Sequence, residues 1–136
     1  MDPQRIAVKL YLEDPAGLDP EELVPVFHRF IREDVVTGVP IDVARYGHVI
    51  DGPGIMIIGS LKDHALDLGG GRAGLSSTLK RGADGTLASR VLDLLQDVAR
   101  LSVDLQADPD LGSRARVGTG EILITILDRY EAPNDD

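Results

Sequence analysis

Two histidine–aspartate pairs with identical spacing are the residues of this sequence best suited to chemistry. The segments from His48 to Asp51 and from His64 to Asp67 each place a carboxylate three positions after an imidazole. Two histidines and two aspartates can ligate zinc, and two histidines with one carboxylate can hold iron. Positions i and i+3 of a strand point to opposite faces, so each pair converges only in a turn or a helix. The pattern predicts a metal site of these four residues if turns bring them together.

A glycine-rich segment follows the second pair. The sequence Gly-Gly-Gly-Arg-Ala-Gly at 69–74 matches the G-x-G-x-x-G pattern. A dinucleotide site also needs a helix that opens on these glycines and an acidic residue about 20 positions later on a second strand. The residues after Gly74 do not have the pattern of a long helix, so a glycine-rich hairpin loop is the favoured interpretation.

The same segment is a candidate loop for binding a small anion. Successive backbone N–H groups in glycine-rich turns can bind anions. Four basic residues between positions 72 and 90 stand against a single acidic one, Asp84; they are Arg72, Lys80, Arg81 and Arg90. The predicted ligand-binding residues are Gly69, Gly70, Gly71, Arg72 and Gly74. A solvated strand end, or a contact face for an acidic partner, is an alternative explanation of the basic residues.

Other catalytic signatures are scarce. The sequence has no cysteine, no G-x-S-x-G elbow and no Walker lysine motif. Ser76 or Ser77 could be a nucleophile with His48 or His64 as its general base, but nothing in the sequence favours that pairing. The third histidine, His28, falls on a predicted helix, where a structural role is expected.

Charge and composition limit the classes of function. The 136 residues include 14 basic and 23 acidic side chains, for a net charge of −9. Such a surface repels phosphate backbones and anionic lipid, and an aromatic content of 4% leaves few platforms for stacking bases. No apolar run approaches the roughly 20 residues that span a bilayer, and no signal peptide is recognised. We therefore expect a cytoplasmic protein that binds neither nucleic acid nor membranes.

The elements that must position these residues follow from apolar periodicity. Alternation with period two predicts strands, and apolar residues three or four apart predict helices. Strands are predicted at 5–13, 41–45 (with an extension towards 50), 55–58, 63–68, 75–80 and 121–130, with helices at 20–33 and 86–107 and a turn at 117–120. The order β-α-β-β-β-β-α-β predicts an α+β fold with one mostly antiparallel sheet and two helices on one face. Residues 1–130 form a single predicted domain, and 131–136 a flexible tail.

The predicted helix at 86–107 carries more apolar surface than one sheet face usually covers. Its principal apolar residues step by four and three positions in alternation, from Leu87 to Leu105. This is the pattern of helices that pack along a seam. Burial on the sheet of the same chain is one interpretation. Contact with a second copy, through this helix or through a sheet edge, is the other, and it predicts a homo-oligomer.

Four short segments carry a resemblance to known proteins. They are Val26–Arg29, Gly47–Gly54, Ala65–Arg72 and Asp128–Asn134. They resemble a bacterial family of small proteins without an assigned activity. The resemblance covers most of the chain and implies no activity, cofactor or catalytic residue.

These observations support two hypotheses about function. The first is a non-enzymatic, self-associating interaction or ligand-binding module of the bacterial cytoplasm, which offers the region 48–74 to a partner or a small ligand. The alternative is a metal-dependent or anion-binding enzyme with a site around His48, His64 and Arg72.

Overall fold

Alternating apolar and polar residues build six strands, and these form one sheet. The computed structural model describes residues 5–14, 17–46, 52, 54–80 and 85–126. The strands of this part of the chain are β1 (Ile6–Leu12), β2 (Pro40–Tyr46), β3 (Gly54–Gly59), β4 (Lys62–Asp67), β5 (Gly74–Leu79) and β6 (Val117–Ile126), and its two α-helices are α1 (Leu23–Arg32) and α2 (Leu87–Gln106). This order and the α+β class confirm the prediction.

The sheet runs in the order β2-β3-β4-β5-β1-β6. Every paired neighbour is antiparallel. The β4–β5 hairpin lies in the middle, and β1 inserts between β5 and β6. Strands β2 and β6 form the two edges.

Both helices lie on the same face of the sheet, as predicted. α1 packs on β2 and β3, whereas α2 packs on β1 and β5. One apolar cluster joins the two helices to the inward-facing residues of the strands, including Val8, Ile57 and Leu75. The space between the helices lies above β4, where the inward-facing residues include Lys62 and His64. A polar cluster therefore occupies the centre of an otherwise apolar layer.

The first helix begins later than predicted, for a local reason. Asp19 and Glu22 form the predicted capping box, but residues Pro20–Glu22 make a 3-10 turn and α1 starts at Leu23. Pro25 has no N–H to donate. With the start at Leu23, this proline falls in the first turn, where backbone N–H groups have no partner inside the helix.

The second helix covers the sheet with one stripe of its surface. Thr86 caps its N-terminus by accepting a hydrogen bond from the Ser89 N–H (3.1 Å). The residues of this stripe with no exposed surface are Leu94, Val98, Leu101 and Leu105. None of the helices in the described ranges has the length and hydropathy needed to cross a membrane.

The last strand contains the largest difference from the sequence prediction. The turn predicted at 117–120 was wrong, because these residues already belong to β6. Leu10 pairs with Ile122 and Leu12 with Val117. A step of two residues along β1 therefore corresponds to a step of five residues along β6. The glycines that suggested a turn form a wide bulge within a continuing strand.

Candidate functional sites

A buried lysine ties the two layers of the molecule together. Lys62 Nζ donates to Asp97 Oδ2 (2.5 Å), Asp93 Oδ2 (2.7 Å) and Thr37 Oγ1 (2.8 Å). The Thr37 hydroxyl in turn donates to Asp97 Oδ1 (2.9 Å). Burial disfavours the charge on Lys62, but the two carboxylates outweigh burial and raise its pKa. A lysine held in its charged form is an ion-pair partner and not a general base.

His64 has a hydrogen bond at each ring nitrogen. Its Nε2 lies 2.8 Å from the Thr37 carbonyl oxygen and its Nδ1 lies 2.8 Å from Ser77 Oγ. A carbonyl oxygen only accepts, so Nε2 carries the proton and Nδ1 accepts from the Ser77 hydroxyl. Burial lowers the pKa of His64 more than its contacts raise it. The neutral ring is therefore a structural link between β4, β5 and the loop before β2.

The contact between His64 and Ser77 has the composition of a base and a nucleophile. The sequence could not choose between Ser76 and Ser77, and the sheet register selects Ser77 by placing it opposite His64. However, His64 is 1% exposed and Ser77 has no exposed surface. A substrate has no access to this pair in the folded state, so the contact does not support catalysis.

The predicted metal ligands are not brought together within the described part of the chain. His64 faces the helices, whereas Asp67, three positions later in β4, lies on the other face. Asp67 is engaged there by Lys9 Nζ (3.4 Å) and by the Gly69 N–H (2.9 Å). His48 and Asp51 lie outside the described residues. No group of three or more histidine, aspartate or glutamate side chains in the described ranges is placed to hold a metal ion.

The glycine-rich segment is a hairpin loop between β4 and β5. Residues Gly69–Gly71 form one 3-10 turn in which Gly70 and Gly71 have positive φ angles of 71° and 75°. Strand β5 follows and not a helix, so the context of a dinucleotide site is missing. The loop lies over the face of the sheet without helices, where Lys9 Nζ donates to the Gly69 carbonyl oxygen (3.1 Å).

The predicted ligand-binding residues of this loop divide into two groups. Gly74 lies in β5 and has a packing role, because a Cβ there would approach the Leu10 carbonyl oxygen to 2.4 Å. Arg72 extends away from the glycines, stacks on the Tyr11 ring with 3.7 Å from Cζ to the ring centroid, and donates to Glu121 (3.1 Å). The part of the segment suited to a ligand is therefore Arg72 with its neighbours on β1 and β6.

The basic residues that the structure describes between positions 72 and 90 do not form one patch. Lys80 Nζ donates to the Gly59 carbonyl oxygen (2.9 Å) and pairs with Asp63 (3.3 Å). Arg90 belongs to the buried face of α2, and Arg81 lies outside the described residues. The contacts of Lys80 link β5 to the β3–β4 turn, which is a structural role.

A surface cavity of about 470 Å³ lies where the chain after α2 meets α1. Arg29 pairs there with Asp108 (3.1 Å), and Arg114 makes a bidentate pair with Glu22 (2.7 and 3.2 Å). Asp108 also accepts from two backbone N–H groups of its own turn. These contacts hold the α2–β6 connection against α1, and within the cavity they pair the charges of Arg29, Asp108 and Glu22.

The exposed apolar surface of β6 was missed in the sequence prediction. Four large side chains of this edge strand are each between 44% and 54% exposed; they are Ile122, Leu123, Ile124 and Ile126. The signal was the run Ile-Leu-Ile-Thr-Ile, which has no charged residue between its isoleucines, whereas β1 has Lys9. Its position at the edge follows only from the strand order.

Comparison of the chain with known protein families, curated proteins and solved structures finds no match.

Proposed function

We propose that this chain is a non-enzymatic interaction module that associates with a second copy of itself through the edge of β6. The observation that carries the proposal is the exposed apolar run Ile122–Ile126 on an edge strand. Apolar side chains on both faces of an open edge favour pairing with another strand. The predicted bacterial, cytoplasmic setting remains a prediction.

The two edges of the sheet differ in their protection. Edge strands usually avoid association through charges, proline and bulges. The β2 edge has all three features, in Pro40, Asp42, Arg45 and an irregular register. The segment Ile122–Ile126 contains no charged residue and no proline. The contrast favours β6 as the edge that pairs.

The apolar surface of β6 continues onto α2. Ile122, Ile124 and Ile126 pair with inward-facing residues of β1, so they extend the core layer by one strand. α2 packs on β5 and β1 and does not extend over β6 to the same degree. Its residue Asp93 faces β4, where it accepts a hydrogen bond from Lys62. Residues two positions from Asp93 lie about 200° around the helix. Val91 and Leu95 therefore form the flank of α2 towards β6, and the predicted helix and edge surfaces are adjacent.

Pairing of β6 with β6 of a second copy gives a closed dimer. A two-fold axis perpendicular to the sheet aligns the strands antiparallel and keeps Ile122, Ile124 and Ile126 of both copies on the helix side. Pairing of β6 with β2 would instead leave a free edge at each end and build an open chain. The protection of β2 disfavours that arrangement.

The test is the oligomeric state of two matched variants. Ile124→Lys places a charge in the middle of the β6 edge, and Ile41→Lys places one on the β2 edge at a residue that is 65% exposed. Light scattering coupled to size-exclusion chromatography at about 50 μM should give a dimer for the parent and for Ile41→Lys, but a monomer for Ile124→Lys. Circular dichroism checks that both variants are folded.

Two results would overturn the proposal. One is a monomeric parent protein at this concentration. The other is a folded Ile124→Lys variant that remains a dimer. In the second case Leu123→Lys, on the opposite face of the same strand, tests whether any part of β6 contributes.

A further inference from the structure

The β1–β6 bulge opens a cavity next to Arg72. Residues 118–121 of β6 lie opposite Tyr11 alone. Gly118 and Gly120 contribute no side chains to this bulge, and a Cβ on Gly120 would have no neighbouring atom within 4 Å. The cavity measures about 340 Å³, which is within the range of small-molecule sites. It is lined by Tyr11, Leu12, Glu13, Arg72, Gly118, Gly120 and Glu121.

Arg72 is oriented at this cavity by two contacts. The Tyr11 ring holds the plane of the guanidinium group, and Glu121 accepts from Nη1. Among the described residues, the side-chain hydrogen bond of Arg72 is the one from Nη1 to Glu121 Oε2. The exposed pair raises the pKa of Arg72 and lowers that of Glu121, so both remain charged near neutral pH. A planar arginine supported in this way matches the two oxygens of a carboxylate.

The other charged residues of the cavity indicate which groups a ligand would carry besides a carboxylate. Glu13 and Glu121 give the cavity two carboxylates against one arginine. A simple anion would be repelled by both glutamates, and a simple cation would be repelled by Arg72. A molecule with one carboxylate and two ammonium groups complements all three charges.

We infer that the cavity bounded by Tyr11, Arg72, Glu13 and Glu121 binds an α-amino acid with a cationic side chain. Arg72 receives the carboxylate of the ligand. Glu121, which contacts Arg72, receives the α-ammonium next to that carboxylate, and Glu13 receives the side-chain ammonium. The Tyr11 ring and the backbone of the glycine bulge form the walls. The cavity shares no residue with the apolar surface Ile122–Ile126, although both include part of β6. The variant Ile124→Lys therefore tests dimerisation without changing a cavity residue, and the cavity variants below leave the apolar surface intact.

The experiment compares L-lysine with two probes that each lack one of its charged groups, by NMR titration of the ¹⁵N-labelled full chain. L-lysine carries all three charges, L-norleucine lacks the side-chain ammonium, and cadaverine lacks the carboxylate. With probes up to about 10 mM, saturable shifts are expected at the amides of Tyr11, Gly118 and Gly120, with L-lysine the tightest binder.

Two variants assign the charges. Arg72→Gln should weaken the binding of L-lysine and L-norleucine by about tenfold. It should not weaken the binding of cadaverine, because the substitution removes a charge that repels this dication. Glu13→Gln should weaken L-lysine and cadaverine by about threefold to tenfold and leave L-norleucine unchanged. Arg100→Gln is the matched control, because Arg100 forms an exposed pair with Asp104 on α2, away from the cavity.

The result that supports the inference is this crossed pattern with an unaffected control. The inference is overturned if L-lysine produces no saturable shifts at the cavity. It is also overturned if Arg72→Gln and Arg100→Gln weaken L-lysine equally, because binding would then be a general effect of surface charge.

Discussion

His64 makes the stability of the fold sensitive to acid. Burial lowers its pKa below the ordinary value of 6.5, against the opposing effects of the Thr37 carbonyl and Asp97. The unfolded chain therefore takes up a proton at a higher pH than the folded one does. Because protons favour the state that binds them, this contribution to stability is present above about pH 6.5 and decreases as the pH falls below it. Lys62 and Asp63 also act on the ring, in opposite directions.

His64→Gln should remove this component of the pH dependence. The glutamine amide can donate to the Thr37 carbonyl oxygen, but it does not titrate. We expect the variant to be less stable than the parent at pH 7.5, with a difference that narrows towards pH 5. Urea unfolding at both pH values measures this, since other groups titrate equally in the two proteins. A constant difference would mean that His64 does not control the acid sensitivity.

Lys62 provides a second test at the scale of single residues. Lys62→Met leaves Asp97 buried without its charged partner, which should reduce the free energy of unfolding by about 3–5 kcal/mol. Adding Asp97→Asn removes the uncompensated charge, so the double variant should be more stable than Lys62→Met alone. Asp93 is more than half exposed and can be solvated. Chemical unfolding of the single and double variants measures the coupling; additive losses would contradict it.

At the scale of elements, two glycines of the sheet differ in the space available for a side chain. Gly74 lets β5 approach β1, because a Cβ there would meet the Leu10 backbone, whereas the space around Gly120 in β6 is open. Gly74→Ala should cost about 1–3 kcal/mol. Gly120→Ala should change the free energy of unfolding by less than about 0.5 kcal/mol. If Gly74→Ala and Gly120→Ala had equal effects on thermal or urea unfolding, the bulge at 118–121 would not have room for a side chain at Gly120.

The sequence predicts elements better than it predicts edges. Alternation in β1 and the capping box at Asp19 are local signals, and both formed as predicted, although α1 begins only at Leu23 after a 3-10 turn. The strand β6 was placed too late, because Gly118 and Gly120 have the composition of a turn while the neighbouring strand β1 keeps the bulged segment extended. Whether a bulge or a turn forms depends on a strand more than 100 residues away in the chain.

In the candidate sites, too, the sequence does not predict which distant residues contact a given side chain. Placing Ser77 opposite His64 requires only the register of a predicted hairpin. The partners Thr37 and Asp97 come from a loop and a helix that the hairpin does not specify. Similarly, the glycine loop was recognised from its composition, but the contact of Arg72 with Tyr11 and Glu121 needs three separate parts of the chain. Local patterns therefore identified the polar residues, and tertiary packing decided their roles.

At the scale of the whole molecule, association through β6 should make thermal stability depend on protein concentration. A dimer that unfolds to two separate chains is stabilised by mass action, so its Tm rises as the protein is concentrated. Between about 5 and 500 μM, we expect the Tm of the parent and of Ile41→Lys to increase by several degrees. The Tm of Ile124→Lys should not change, because its β6 edge carries a charge that a second copy would have to bury unpaired. Calorimetry at the two concentrations measures this. A constant Tm for the parent, with no loss to aggregation, would show that the exposed isoleucines of β6 do not stabilise a dimer.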